Sequence, residues 1–153
     1  MTTKRILVDT NVLVALVDAR DKWHDQAILI RDALIATDAE LVYFDCVVNE
    51  AVSVIGRRAE EQKRSDQFTR LLDSLAVTVP ADSITWVSAS GERLYPDVLD
   101  LCRSHEGRLN FNDALIALVT QELSIPTILS FDKDFDEIDW LERLSDSSKI
   151  IRP

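Results

Sequence analysis

The sequence is poor in the residue types that build loop-rich, disulfide-linked or zinc-binding proteins. It has three glycines and four prolines among 153 residues, which argues against disorder, long linkers and all-β folds with many turns. Its two cysteines, Cys46 and Cys102, are too few for a disulfide framework or a zinc cluster, and we expect buried thiols of a cytoplasmic protein. The only histidines are His24, expected at the surface of a helix, and His105, expected to complement a helix C-terminus. Neither is a predicted metal ligand.

Long hydrophobic runs are also missing. The longest uncharged apolar runs hold about six residues, whereas a membrane-spanning helix needs roughly 20. The N-terminal segment has neither the apolar stretch nor the small-residue cleavage site of a signal peptide. Apolar residues make up 46% of the chain, which is ordinary for a globular protein. We therefore expect a single domain over residues 1–153, long enough to bury a core and without a membrane partner.

Positive charge is the third shortage. The formal net charge is −10, whereas a nucleic-acid-binding protein is expected to present basic surface. Acidic residues are concentrated at 131–146, which holds seven Asp and Glu against one Lys and one Arg. Residues 56–70 reverse this balance, with five Lys and Arg against three Asp and Glu. The sequence therefore predicts a local basic patch on an acidic protein, with these members: Arg57, Arg58, Lys63 and Arg64.

The stretch that organises the chain is RILVDTNVLVALV, residues 5–17. Residues 6–8 predict a short buried strand, and Val12–Val17 predict a buried helix after a polar turn. Asp9 lies in that turn and therefore at the carboxyl end of a strand. In open α/β sheets this edge is where ligands and catalytic groups lie, so Asp9 is the first candidate site residue.

The remaining chain alternates between helical and strand patterns. Apolar periodicity predicts helices at Lys22–Ala36, Cys46–Arg58, Ala59–Ala76, Asp82–Ser90, Pro96–His105, Asp113–Glu122 and Asp136–Leu144. Short apolar segments predict strands at Glu40–Phe44, Val77–Val79, Thr127–Leu129 and Lys149–Ile151. Helices between successive strands imply an α/β protein with a mainly parallel sheet, right-handed crossovers and helices on both faces.

Capping signals mark several of the predicted helix ends. Asp45 is expected to cap the helix that follows it, and Asn112 the helix that begins at Asp113. Pro96 is expected in the first position of its helix and Gly107 just beyond the end of that helix.

Three further acids, Glu50, Asp113 and Asp132, stand in apolar settings like that of Asp9. Taken alone, Glu50 is explained as a boundary residue of an amphipathic helix, and Asp113 as an acid that complements a helix dipole. If the four carboxylates share one pocket, they need a counter-ion to stay ionised. Mg²⁺ or Mn²⁺ is the natural choice because both prefer oxygen ligands. A metal pair held by carboxylates can activate water for phosphodiester cleavage.

Other polar residues lie close to these acids in the sequence. Asn11 and Ser130 each stand two residues from an acid at a strand end, where we expect them to orient a carboxylate or a bound water. Asp134 and Asp136 compete with Asp132 for the role of fourth acid. Asp132 is preferred because it follows the strand directly.

Four segments together resemble the four motifs of the PIN domain family, most closely those of the VapC-type ribonuclease toxins: VDTNVLVAL, VVNEAVSVI, NDALIALV and LSFDKDFD. Their order and approximate spacing extend the resemblance over essentially the whole chain. The resemblance implies a three-layer α/β/α sandwich around a mainly parallel sheet of four to five strands. It also implies a Mg²⁺- or Mn²⁺-dependent endoribonuclease, a homodimer, and inhibition by a cognate antitoxin protein. We expect its substrate to be single-stranded or loop RNA.

The resemblance also implies roles for individual residues. Asp9 and Asp113 would be the principal metal ligands, and Glu50 and Asp132 would complete the catalytic acidic pocket. The supporting residues would be Asn11 and Ser130. The basic patch supplies the candidates for contact with RNA: Arg57, Arg58, Lys63 and Arg64.

Two other functions compete with the ribonuclease. A PIN fold can serve as a module that binds RNA or a protein without cutting, but degenerate members should lose acids and this chain keeps four. A strand that ends in DTN also resembles the nucleophile loop of an α/β phosphohydrolase. That loop needs a second acid where this chain has Asn11, so the phosphohydrolase ranks last.

Overall fold

A computed structural model of the protein describes residues 3–150. Within them lie five strands: β1 (Arg5–Val8), β2 (Glu40–Phe44), β3 (Ile84–Thr85), β4 (Thr127–Leu129) and β5 (Glu142–Leu144). The same residues form six α-helices: α1 (Thr10–Val17), α2 (His24–Ile35), α3 (Asp45–Glu61), α4 (Phe68–Thr78), α5 (Ser90–Ser104) and α6 (Phe111–Glu122). Short 3-10 turns lie at Ser65–Gln67, Ala81–Ser83, Lys133–Glu137 and Ser147–Lys149.

The five strands form one parallel sheet in the spatial order β3-β2-β1-β4-β5. The chain starts in the central strand, adds β2 and β3 on one side, and then crosses to the other side for β4 and β5. Right-handed crossovers that run in opposite directions place helices on both faces of the sheet. The predicted α/β fold, a three-layer sandwich around a parallel sheet, is therefore confirmed.

The core is built around β1 and α1. Residues 6–8 and Val12–Val17 are all buried, because the central strand is covered on both faces and α1 packs against α2, α3 and α4. Residues 114–117 of α6 are buried as well, and α6 packs against α5. Within residues 3–150, no helix is long and apolar enough to cross a membrane.

The segment 59–85 differs from its prediction. The predicted helix Ala59–Ala76 is the end of α3, a turn, and then α4, and the predicted strand Val77–Val79 is wrong because α4 continues to Thr78. Buried Leu71, Leu75 and Val79 are spaced four residues apart, so the β-branched segment completes the buried face of a helix. Packing overrides the strand preference of these residues. The edge strand β3 lies instead in the segment that was predicted to open a helix.

Helix α5 begins six residues earlier than predicted. Pro96 lies inside the helix rather than in its first position. The buried side chains of Leu94 and Val98 are one turn apart on either side of it, and their packing holds the helix together across the missing N–H. The predicted exit of the helix is observed, because Glu106 and Gly107 both adopt positive φ and the Gly107 N–H donates to the Cys102 carbonyl.

The C-terminal segment also differs. The predicted helix Asp136–Leu144 is replaced by a 3-10 turn at Lys133–Glu137 and by strand β5, which pairs with β4 at the sheet edge. The predicted closing strand Lys149–Ile151 is not formed at Lys149, which ends a 3-10 turn; Ile151 lies outside the described residues. Such short segments carry too few residues for a periodicity to distinguish strand from helix.

Two predicted helix caps are also wrong. Asp45 lies in the first turn of α3, and its carboxylate accepts hydrogen bonds from Val87 N (2.6 Å) and from the Ser88 N–H and hydroxyl. Asp45 therefore joins the start of α3 to the segment between β3 and α5. Helix α6 begins at Phe111, and Asn110 rather than Asn112 is its cap.

Neither thiol is fully buried. Cys46 and Cys102 are both free and half-buried, which corrects the expectation of buried thiols. The two histidines bond within the helical layers. Nδ1 of His24 lies 2.6 Å from the Ala15 carbonyl, and Nδ1 of His105 lies 3.0 Å from the Leu101 carbonyl.

Candidate active site

The four acids singled out in the sequence line one cleft of about 200 Å³, which we call the carboxylate cleft. Asp9 follows β1, Glu50 lies in α3, Asp113 lies in the first turn of α6, and Asp132 follows β4. Strands β1 and β4 are neighbours from which the chain departs in opposite directions. Such a reversal opens a crevice at the carboxyl ends of the strands. The cleft therefore lies where this topology favours a ligand site.

Asp9 is the most buried of the four acids, at 5% exposed. Its Oδ1 accepts the Thr10 N–H (2.8 Å) and its Oδ2 accepts the Ser130 hydroxyl (2.7 Å). Burial raises the pKa of Asp9 to about 6, and the charges of Glu50 and Asp132 act in the same direction, against the two hydrogen bonds. The site thus holds a carboxylate that gives up its proton less readily than an ordinary aspartate.

Asn11 and Ser130 connect the ends of β1 and β4. Asn11 Oδ1 accepts the N–H of Phe131 (3.1 Å), and Asn11 Nδ2 lies 3.4 Å from both Asp9 Oδ2 and Ser130 Oγ. Ser130 Oγ also accepts the N–H of Asp132 (3.0 Å) while it donates to Asp9. The two side chains therefore hold the turn after β1 against the turn after β4.

Glu50 is held by two side chains whose role the sequence did not reveal. Glu50 Oε2 accepts the Thr10 hydroxyl (3.1 Å) and the Asn112 amide (2.9 Å). Thr10 and Asn112 each stand next to a motif acid, so their position beside the motifs was the available signal. Glu50 thus bridges α1 and α6 across the cleft rather than pointing to water from the edge of α3.

Asp113 is half-buried, like Glu50 and Asp132. Burial raises its pKa to about 7, and the charges of Asp9, Asp132 and Glu50 raise it further in that order of importance. An acid that merely complemented a helix dipole would have a lowered pKa, because the N-terminus of a helix stabilises negative charge. Burial, joined by the charges of the other acids, therefore outweighs stabilisation by the helix N-terminus at Asp113.

Asp132 is distinguished from its neighbours by position. It lines the cleft, and its Oδ1 accepts the Asp134 N–H (2.9 Å) at the start of the following 3-10 turn. Asp136 instead pairs with Arg143, with 2.8 Å between Oδ1 and Nε. The charge of Asp132 raises the pKa of Asp134, which does not line the cleft. These positions support the choice of Asp132 over Asp134 and Asp136.

The chemistry of this donor set suits a hard divalent cation. The cleft is lined by four carboxylates, whose oxygens are the ligands that Mg²⁺ and Mn²⁺ prefer. In the part of the chain that the structure describes, no three His, Cys, Asp or Glu side chains stand close enough together to hold a metal as they are. Within the described residues the four carboxylates therefore share a cleft without standing at ligand distance from one common point.

The basic patch divides into two parts. Arg57 and Arg58 line the carboxylate cleft, where Arg57 is exposed and Arg58 Nη1 lies 2.6 Å from Asp21 Oδ2. Lys63 is exposed in the turn beyond α3. Arg64, in contrast, is 6% exposed, and its guanidinium donates to both oxygens of Asp18 (2.9 and 3.1 Å). The prediction that Arg64 contacts RNA is therefore wrong, because the side chain is buried in an ion pair.

Solved structures with the same fold include three prokaryotic proteins. VapC20 of Mycobacterium tuberculosis, described as a toxin that cleaves the sarcin–ricin loop, is 20% identical over 97% of this chain and 98% of its own, with a TM-score of 0.64. VapBC2 of Rickettsia felis, solved with a DNA fragment from its promoter, is 18% identical over 92% and 97%, with a TM-score of 0.65. FitAcB of Neisseria gonorrhoeae is 20% identical over 92% and 96%, with a TM-score of 0.64. These likenesses establish a shared fold.

Sequence comparison gives the family directly. No curated protein matches the chain. The profile of the PIN domain, however, matches residues 6–141, which include all four acids of the carboxylate cleft. The chain therefore belongs to the PIN domain family.

Proposed function

We propose that this protein is a Mg²⁺- or Mn²⁺-dependent endoribonuclease that hydrolyses phosphodiester bonds in single-stranded or loop RNA. The observation that carries the proposal is the convergence of four acids, each from a different part of the chain, on one cleft at the carboxyl edge of a parallel sheet. Membership of the PIN family and the likeness to a toxin described as cleaving the sarcin–ricin loop support the same reaction class.

In this proposal Asp9 and Asp113 are the principal metal ligands, and Glu50 and Asp132 complete the catalytic pocket. When bound, the cation would supply activation of a water and stabilisation of the leaving oxygen of the phosphodiester. The raised pKa values of Asp9 and Asp113 support the assignment, because burial, joined by the charges of neighbouring acids, makes both carboxylates ionise less readily, and acids perturbed in this way are typical of functional clefts.

The surrounding residues hold these acids in position. Hydrogen bonds from Ser130 and the Thr10 backbone orient Asp9, and Asn11 ties the two turns that carry Asp9 and Asp132. Glu50 is oriented by hydrogen bonds from its neighbours on α1 and α6. A carboxylate with a fixed orientation loses less side-chain entropy when it binds a cation, so these contacts favour binding.

We further propose that the protein is the toxin of a toxin–antitoxin pair. This proposal includes a cognate antitoxin partner, a homodimer, a cytoplasmic location and a single PIN domain over residues 1–153. It rests on the family and on the resemblance of the motifs to those of VapC-type toxins.

A cleavage assay tests the reaction. The purified protein would be incubated with labelled single-stranded and hairpin RNAs in Mn²⁺, Mg²⁺ or EDTA. Asp9→Asn is the test variant, and Asp139→Asn, an exposed aspartate outside the cleft, is the matched control. We expect metal-dependent cleavage that survives in the control and disappears with Asp9→Asn. Cleavage that persists with Asp9→Asn would point to a contaminating nuclease and contradict the role of Asp9. Binding of metal and RNA without cleavage would contradict the nuclease and favour a non-cleaving PIN module.

A further inference from the structure

A second pocket, which we call the aromatic pocket, adjoins the carboxylate cleft. Its volume is about 450 Å³, and it shares Asn11 and Arg58 with the cleft. The other residues that line it are Arg20, Asp21, Lys22, Trp23, Gln62 and Phe131. A substrate that occupies the cleft can therefore extend into this pocket without crossing intervening protein.

Two stacked aromatic rings form part of this pocket. The rings of Trp23 and Phe131 have centroids 5.0 Å apart and an interplanar angle of 21°. Trp23 is nevertheless 39% exposed. Asp21 fixes the backbone before α2 by accepting the Trp23 N–H (2.8 Å), and Asn11 accepts the Phe131 N–H. The protein thus holds a large aromatic surface partly open to solvent. Hydrogen bonds to Asp21 and Asn11, which also line the aromatic pocket, fix its position.

Position along the chain ties the aromatic pocket to the candidate catalytic groups. Phe131 lies between Ser130, which bonds Asp9, and Asp132, which lines the carboxylate cleft. A flat ligand stacked here would therefore be held within a short distance of the acids.

The aromatic pocket also gathers positive charge on an otherwise acidic protein. Arg20 and Lys22 are exposed, and Lys22 Nζ lies 5.3 Å from the centroid of the Trp23 ring. Arg58 reaches both the aromatic pocket and the carboxylate cleft. With a net charge of −10, the chain needs such a local concentration of cations to hold a polyanion against repulsion.

We propose that the aromatic pocket binds one unpaired nucleobase of the RNA substrate, stacked on Trp23, with the adjoining phosphates near Arg20 and Lys22. This inference rests on the proposed ribonuclease function. A planar aromatic surface flanked by cations is the arrangement with which proteins bind single-stranded nucleic acid, because every base has a π face and every nucleotide a charge. A base inside a duplex is already stacked and paired, so the pocket selects unpaired RNA.

RNA binding by Trp23 variants tests the base-binding pocket. All variants would carry Asp113→Asn, which disables the proposed cleavage, and binding of fluorescein-labelled oligo(A), oligo(C) and oligo(U) in Mn²⁺ would be followed by anisotropy. Trp23→Ala should weaken binding about 5- to 150-fold, the range for loss of one base–aromatic stack. Trp23→Phe, which keeps an aromatic ring, should retain most of the RNA affinity. Trp86→Ala, which removes a 74% exposed tryptophan outside the pocket, is the matched control. It should bind RNA like the parent protein, which carries Asp113→Asn alone.

A second measurement links Trp23 to a base rather than to general RNA affinity. Abasic nucleotides would be placed one at a time along the best-binding RNA. One position should weaken binding to the parent protein and have no further effect once Trp23→Ala is present, because both changes remove the same contact. Fully paired RNA should bind the parent and Trp23→Ala equally.

The outcomes separate this inference from the proposed reaction. Equal binding by Trp23→Ala and Trp86→Ala, additive effects of every abasic position, or no RNA binding by the parent would each overturn the base-binding pocket. Metal-dependent cleavage that is insensitive to Trp23→Ala would support the ribonuclease function and contradict the base-binding pocket. Coupling of Trp23 to one base, without cleavage by the unmutated chain, would support the base-binding pocket and contradict the ribonuclease function.

Discussion

The carboxylate of Asp9 caps a helix and at the same time belongs to a cluster of acids. As a cap it accepts the first free N–H of α1, which stabilises the start of that helix. As a member of the cluster it is buried near Glu50 and Asp132, which makes its ionised form less favourable. Substitution of Asp9 therefore removes a helix cap and a charge together, so Asp113, which is not a helix cap, is the better residue for measuring the repulsion.

Asp113→Asn should raise the melting temperature of the protein in EDTA. The change removes repulsion from three neighbouring acids, which outweighs the loss of a favourable interaction with the α6 N-terminus worth about 0.3–1 kcal/mol. A gain of about 1 kcal/mol corresponds to roughly 2–4 °C for a chain of this size. Differential scanning fluorimetry would measure the shift. Asp139→Asn, at an exposed site, should leave the temperature unchanged. A lower melting temperature for Asp113→Asn would mean that the acids do not repel one another.

The same acids predict how stability depends on pH. In the folded chain the pKa values of Asp9 and Asp113 are about 6 and about 7, above the ordinary value near 4. The folded chain therefore binds more protons than the unfolded chain between about pH 4 and pH 7, so the free energy of unfolding falls as pH rises through that window. Urea denaturation in EDTA should show higher stability at about pH 5 than at about pH 8.

Asp113→Asn provides the control for the pH dependence. It should reduce the difference in unfolding free energy between the two pH values, because one of the two titrating groups is gone. An unchanged difference in the variant would assign the pH dependence to other groups. Greater stability of the unmutated protein at about pH 8 than at about pH 5 would contradict the direction of both pKa shifts.

At the scale of the elements, the end of α3 is held by a buried ion pair. The side chains of Arg64 and Asp18 are each 7% exposed, and Arg64 donates to both oxygens of Asp18. Burial opposes ionisation of Asp18, but the hydrogen bonds from Arg64 and the Arg20 N–H, together with the positive charges of Arg64 and Arg58, outweigh it and lower the pKa of Asp18. This contact joins the turn after α3 to the end of α1, and so positions the helix that carries Glu50.

Arg64→Met should destabilise the protein by about 3 kcal/mol, because it leaves the buried Asp18 carboxylate without its partner. Arg57→Met, which removes an exposed arginine of the carboxylate cleft, should change the free energy of unfolding by less than about 0.5 kcal/mol. Urea denaturation of both variants measures the difference. RNA affinity should show the reverse order, with the larger loss for Arg57→Met. Equal destabilisation by the two substitutions would show that Arg64 is not a structural cation.

The elements also show where prediction from sequence stops. The strand β2 was predicted with its observed bounds, and α1 and α6 within two residues of their observed starts, because their apolar segments are long or fully buried. The segment 59–85 was misassigned because its pattern fits either a helix or a strand over a few residues. Which one forms depends on contacts with α1 and α3 that are far away in the sequence.

At the scale of the whole molecule, charge is the quantity to explain. A net charge of −10 opposes RNA binding, yet four acids converge on the carboxylate cleft and the exposed cations Arg20, Lys22 and Arg57 lie around it and the aromatic pocket. A bound divalent cation would cancel part of the negative potential where the substrate must enter. Metal binding and RNA binding are therefore expected to be coupled through charge.

Millimolar Mg²⁺ or Mn²⁺ should raise the melting temperature of the unmutated protein. A ligand that binds only the folded chain stabilises it by mass action, by about 2.7 kcal/mol at one hundred times its Kd. The shift should be greatly reduced in Asp113→Asn, which lacks a proposed ligand, and retained in Asp139→Asn. Ca²⁺ at equal ionic strength tests whether the effect needs the smaller ions. No shift with any divalent cation would contradict a metal site in the carboxylate cleft.

The sequence by itself determined the α/β class, the central strand and buried helix around Asp9, and the set of acids worth examining. These features are local, because a period of apolar residues and an acid at the end of a strand can be recognised without knowing what packs on them. Only the tertiary structure decided that Thr10 and Asn112 hold Glu50, that Arg64 is buried against Asp18, and that Trp23 stacks on Phe131. These contacts join residues that are from 40 to 108 positions apart along the sequence. Their formation depends on the order in which the strands join the sheet, and no short pattern of residues encodes that order.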